Sequence, residues 1–152
     1  MGYLSINYGT VVNPNLNLFV YGSLQYEPVW SRLIQQPYAQ YPALLKGYRR
    51  LKVREEDYPG LIPAQDQDQV TGHVRLQLTP HDLQRLDQFE GEYYARFPVT
   101  VQRLDAPTIW LPAEVYVFKP DHWHRLSDHP WDAEEFAAQG LQRFIRDYAG
   151  FF

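Results

Sequence analysis

The chain has 152 residues, a net charge of −4, an apolar fraction of 45% and an aromatic fraction of 16%. That length is one domain's worth, with apolar residues enough for a core, which excludes an unfolded segment and argues for a globule built around rings. Cysteine is absent, which excludes disulfides, thiolate nucleophiles and cysteine-ligated metals.

Residues 1–16 read as an irregular arm, broken by Asn13-Pro14-Asn15. The arm has no basic stretch followed by a long apolar one, so no secretory signal is expected. No apolar run approaches the ~18 residues that would span a bilayer, which leaves a soluble, cytoplasmic protein as the expectation. Residues 17–152 are read as a single domain. Residues 17–21 form a buried strand that stops abruptly at Gly22-Ser23. Pro28 then suits a first helical turn, and Val29, Trp30, Leu33 and Ile34 make a helical stripe.

Residues 43–53 are a weak strand region, and its basic residues, 46–50 and 52–54, are a solvated edge rather than a nucleic-acid footprint. Glu55-Glu56-Asp57 reads as a solvated loop and Pro59-Gly60 as a turn. Residues 70–79 alternate, placing Val70, Gly72, Val74, Leu76 and Leu78 on one face, with Gly72 marking a bulge or a close backbone approach. Thr79, Pro80, Asp82 and Gly91 bracket a short helix. Strands follow at 97–102, with Pro98 marking an edge, and at 113–118. Asp132-Ala133-Glu134-Glu135 opens a last helix with Phe136, Leu141, Phe144, Ile145 and Tyr148 on one side. Strands outnumber helices without alternating regularly, so the class is α+β.

Two stretches carry chemistry. At about 100° per residue, Leu83, Leu86 and position 90 share a stripe of the short helix, and position 90 is Glu. On that face its carboxyl loses hydration and its pKa rises, which suits general acid–base work. The competing reading ends the helix at Phe89 and sends Glu90 to solvent. Asp87 and Glu92 point elsewhere and read as solvated. The turn at Gly22-Ser23 exposes successive backbone N–H groups that can cradle an anion or a polarised carbonyl; a tight turn without a ligand explains the same residues. Neither phosphate-binding glycine motif is present, and no G-x-S-x-G surrounds Ser23. His122-Trp123-His124 could set two imidazoles on one strand face, without a third ligand, so no metal is assigned.

Taken in order, these residues resemble the γ-glutamylcyclotransferase-like family. The likeness rests on Val20-Tyr21-Gly22-Ser23-Leu24, Lys46-Gly47-Tyr48, Tyr58-Pro59-Gly60-Leu61 and Val70-Thr71-Gly72, then on Leu86-Asp87-Gln88-Phe89-Glu90-Gly91, Tyr94-Ala95-Arg96 and Val115-Tyr116-Val117. It is closer to the short branch that includes γ-glutamylamine cyclotransferases, and it leaves out the arm and the tail from Trp123 onward. The resemblance implies a small mixed β-barrel or strongly curved sheet flanked by helices, with a site at the barrel mouth and no cofactor. It implies that a small γ-glutamyl compound cyclises to 5-oxoproline and releases an amine. Glu90 would be the acid–base residue. Tyr21, Gly22, Ser23 and Leu24 would bind the glutamyl head, and Tyr94 and Tyr116 would be wall or hydrogen-bond residues. Arg96 would pair with a carboxylate or sit on a strand surface. The alternatives are a non-catalytic binding module on the same fold, or removal of a γ-glutamyl group from a larger metabolite or acyl carrier. Neither nucleic acid nor membrane is expected as a partner, and oligomeric state is left open.

Overall fold

The computed structural model describes residues 14–148, together with the backbone of two short strands before them, β1 (Ile6–Asn7) and β2 (Thr10–Val11), which pair antiparallel. The rest of the expected N-terminal arm lies outside the described residues. In chain order there follow β3 (Leu16–Val20), α1 (Glu27–Leu33), β4 (Gln40–Lys46), β5 (Tyr48–Val53), β6 (Pro59–Pro63) and β7 (Gln69–Leu78). Then come α2 (Pro80–Glu90), β8 (Tyr94–Arg103), β9 (Trp110–Phe118) and β10 (Leu126–Pro130), and finally α3 (Ala133–Glu135) and α4 (Leu141–Asp147), joined by a π turn (Phe136–Gly140).

Five strands close a mixed barrel in the order β3-β7-β4-β8-β9. All neighbours are antiparallel except the seam, where β3 runs parallel to β9 through Leu18↔Glu114 and Phe19↔Val115. The α+β barrel expected from the sequence is therefore the architecture. The barrel interior is filled by Phe19, Ala43, Leu45, Val70, Val74, Val101, Ala113 and Val115, alternate residues of those five strands. A second apolar cluster lies outside the barrel wall, where Leu18 and Val20 on the other face of β3 meet α1, α2, the three-stranded sheet β10-β5-β6 and the C-terminal helix.

Several local expectations need correction. The weak strand region is two strands in different sheets, parted at Gly47, whose φ of 85° breaks the run. Pro59-Gly60 is not a turn but the start of β6; a Cβ on Gly60 would stand 2.8 Å from side-chain carbons of Phe118 and Leu126, so this glycine allows the second sheet to press on the barrel. The alternation of β7 fails near its end. Gln77 adopts φ 59° and the β3 pairing slips there, so Leu76 leans on the barrel interior while Leu78 joins the outer cluster. Gly72 is a close approach as expected: a Cβ there would lie 2.2 Å from the Val20 carbonyl oxygen. Strand β8 begins at Tyr94 rather than 97, and Pro98 lies within it, on the half where β4 offers no ladder. His122 and His124 lie on a 3-10 turn, Pro120–Arg125, not on a strand.

Candidate functional site

The short helix α2 behaves as its sequence demands. Thr79 accepts a hydrogen bond from the Asp82 N–H at 3.2 Å, Pro80 takes the first turn, and Gly91 ends the helix at φ 81°. Leu83, Leu86 and Phe89 are buried. Glu90 is thereby the last helical residue, and the helix does not stop at Phe89.

Its carboxyl reaches a cavity at the barrel end where β3 and β9 finish and β8 begins. The empty space measures about 400 Å³ with its open mouth included. Phe19, Val20 and the turn Tyr21-Gly22-Ser23-Leu24 line one side. Tyr94, Tyr116, Phe89 and Glu90 line another, and Tyr58, Pro59, Phe144 and Tyr148 complete the wall. Tyr21, Gly22, Ser23, Leu24, Glu90, Tyr94 and Tyr116 thus border one cavity, whereas Arg96 does not.

Glu90 is half-buried as a residue, and its carboxyl makes no hydrogen bond to the protein among the described residues. Burial first, and the Asp87 charge second, push its pKa up to about 8. Across the cavity, Ser23–Gln25 forms a single 3-10 turn whose first position no side chain caps. The leading N–H groups of such a turn have no carbonyl one turn earlier to bond. Ser23 is buried, and its hydroxyl bonds to no protein group among the described residues. The bareness of Gly22 has a partner in the protein itself: a Cβ there would come within 2.8 Å of the Pro59 ring.

The tyrosine hydroxyls face away from the role of free donors. Tyr21 donates to the Tyr116 carbonyl at 2.7 Å, Tyr94 to the Pro59 carbonyl at 2.7 Å, and Tyr116 to Asp87 Oδ1 at 2.7 Å. Burial raises the pKa of all three, so they are neutral phenols whose rings form the walls. Asp87 is not merely solvated. Arg96 grips it with two hydrogen bonds, of 2.7 and 3.1 Å, and reaches Glu114 at 2.7 Å, which settles Arg96 as a carboxylate partner.

Sequence reasoning missed four contributors. Arg50, read as part of a solvated edge, donates to the Tyr21 carbonyl at 2.8 Å and holds the turn from behind. Tyr58, from the quoted Tyr-Pro-Gly-Leu stretch, sits in the wall, and the apolar stripe of the last helix supplies Phe144 and Tyr148. That stripe signalled burial; nothing in it said which surface it would cover. His122 and His124 are not part of this site; His122 rests on the Tyr93 ring at 4.5 Å.

No helix among the described residues is long and apolar enough to cross a membrane. Comparison with known proteins places this cavity in context. Over residues 18–133 the chain matches the family described as gamma-glutamyl cyclotransferase, AIG2-like. It is 31% identical to AIG2-like protein D of Arabidopsis thaliana over 134 residues, covering 86% of this chain and 84% of that one. A solution structure from the same plant superposes with a TM-score of 0.69 at 29% identity, over 91% of this chain and 82% of the other. A solved gamma-glutamyl cyclotransferase shares the fold at a TM-score of 0.57 and 18% identity, over 69% of this chain and 67% of that one. With its barrel, its glycine turn and its helix-terminal glutamate in one cavity, the chain belongs to the gamma-glutamyl cyclotransferase, AIG2-like family.

Proposed function

We propose that the protein cyclises a γ-glutamyl amine or peptide to 5-oxoproline with release of the amine, and that Glu90 is its acid–base residue. The observation that carries this reading is the sharing of one cavity by the Glu90 carboxyl and the uncapped turn at Gly22-Ser23-Leu24.

The substrate brings its own nucleophile, so the protein's tasks are positioning and proton transfer. Glu90, as the carboxylate, takes a proton from the substrate's α-ammonium. The freed amine attacks the γ-carbonyl carbon, a C–N bond forms within a five-membered ring, and negative charge gathers on the carbonyl oxygen. Backbone N–H groups of the Ser23 turn face that charge, and the Ser23 hydroxyl adds a donor. Protonated Glu90 then gives its proton to the leaving nitrogen as the original amide C–N bond breaks. The second proton that the ring nitrogen sheds as the lactam forms leaves on the released amine as its ammonium, so the proton count closes. A pKa of about 8 lies near that of an α-amino group, so the proton moves in either direction without a steep uphill step. Because amine and carbonyl are already tethered, the protein's positioning share is the internal rotation it freezes in the ring-closing conformation. The tyrosine rings limit the water that would otherwise solvate both charges.

The test is release of 5-oxoproline from a panel of γ-glutamyl compounds, with wild type and Glu90→Gln compared. Wild type should turn over at least one of them, and the variant should lose activity by about 10²-fold or more while melting no lower than wild type. Undiminished turnover by folded Glu90→Gln would reject the assignment.

A further inference from the structure

Three residues of the cavity wall do double duty. Tyr58, Phe144 and Tyr148 also line a second, outer cavity of about 1080 Å³, open mouth included, against about 400 Å³ in the inner one. They stand as a partition between a narrow chamber holding Glu90 and a roomy vestibule. Two of the three ride on α4 or its end, beyond residue 133, where the match to the family stops.

The partition is held in place by specific contacts. Phe144 packs edge-on against Tyr58 at 6.0 Å and Phe89 at 6.1 Å, and stacks on Tyr148 at 4.6 Å. The Tyr148 hydroxyl donates to the Phe89 carbonyl at 2.9 Å, one residue before Glu90. Arg143 ties the helix to Asp57 at 2.7 Å, and the Trp131 indole N–H donates to the Asp57 carbonyl at 2.8 Å. The π turn before α4 brings Gly140 so close to Asp57 that a Cβ would lie 3.2 Å from its Oδ1. The other sides of the chamber come from barrel strands, the Gly22 turn, α2 and the start of β6.

We infer that Phe144 and Tyr148 determine which leaving amine the site accepts, by forming the slot through which that amine's substituent passes from chamber to vestibule; this rests on the cyclotransferase reading above. A slot bounded by ring faces passes an unbranched methylene chain and obstructs a substituent branched at the carbon next to nitrogen. The discrimination therefore comes from outside the segment that carries the glutamyl head and Glu90.

The test compares kcat/KM for two γ-glutamyl amides, one of an unbranched alkylamine and one of an amine branched beside its nitrogen, in wild type, Phe144→Leu and Tyr148→Leu. Each variant's melting temperature is followed alongside. Losing ring bulk should raise the branched-to-unbranched ratio by about tenfold or more, the scale on which one methylene is sensed in an apolar slot. A ratio unchanged in folded variants overturns the inference and leaves the cyclotransferase reading standing, whereas no 5-oxoproline from any substrate removes both. A readout without substitution in α4 covers unstable variants: amide hydrogen exchange of residues 141–147 in Glu90→Gln should slow by about tenfold or more on adding a γ-glutamyl amide. Exchange that does not respond overturns the inference as well.

Discussion

A carboxyl whose pKa is raised by burial is a weakness in the fold, and Glu90→Gln should expose it. The group's folded pKa is about 8 against an ordinary 4.5. Below pH 4.5 folded and unfolded chains both hold the proton, and the carboxyl exacts no penalty. Between 4.5 and 8 the unfolded chain releases its proton while the folded chain retains it, so folding loses stability as pH rises, at up to ~1.4 kcal/mol per unit. By pH 7 the loss approaches ~3 kcal/mol as an upper bound, and water reaching a half-buried carboxyl through the cavity mouth trims it to ~1–3. Gln has the same shape and no proton to lose. Urea unfolding of wild type and Glu90→Gln from pH 5 to 9 should therefore give nearly equal stabilities at the acid end. The advantage of the variant should grow with pH and level off above 8. Glu56, whose pKa is also raised by burial, is present in both proteins and drops out of the difference. A stability gap that stays constant across the range would refute the argument, because a constant offset reports shape or hydrogen bonding, not ionisation.

Other outcomes follow from the same geometry. If Glu90 acts first as a base, log kcat/KM should climb with a slope near one up to pH ~8, and Asp87→Asn should move that limb to lower pH by removing a neighbouring negative charge; a limb that does not move assigns the titration to another group. Ser23→Ala should fold normally and weaken kcat/KM by about tenfold, in line with one donor lost beside developing charge; no change would take the hydroxyl out of the site. Gly72→Ala should prevent folding or lower stability by more than ~3 kcal/mol, because its Cβ meets a backbone carbonyl at 2.2 Å that has no room to retreat; soluble expression and thermal melting decide it.

The elements most legible in the sequence were those with both ends chemically marked. Thr79, Pro80 and Gly91 bracket α2 to within one residue, but spacing alone left open whether it closes at Phe89 or at Glu90, and only the packed helix shows that Glu90 is its last residue. The strand before the glycine turn was readable to within one residue, running Leu16–Val20 where 17–21 was expected. Periodicity could not distinguish a glycine demanded by a neighbour from one demanded by a turn or a ligand. Gly60 looked like a turn because its true cause, the Phe118 and Leu126 side chains, arrives from more than fifty positions away. Gly22 and Pro59 answer each other in the same fashion. Asp87 does point away from the cavity with its side chain 41% exposed, but its grip on Arg96 and Tyr116 was invisible because a paired carboxylate has the same spacing as one in water. Burial in β7 escaped a simple alternation rule because Gln77 inserts a kink that pattern-counting cannot see.

The barrel's seam orders events in the life of the chain. Tyr21 and its acceptor at Tyr116 are 95 positions apart, and the parallel pairing of Leu18 with Glu114 spans a similar stretch. A ribosome that has delivered the glycine turn must extrude most of the remaining polypeptide before that turn acquires its opposite wall. Strand β3 can dock early on β7, but its other rim stays unpaired until β9 emerges, a delay that widely separated contacts impose on any chain. The cavity shared by Glu90 and the Gly22 turn is therefore completed only late in synthesis, first by Tyr116 of β9 and then by Phe144 and Tyr148.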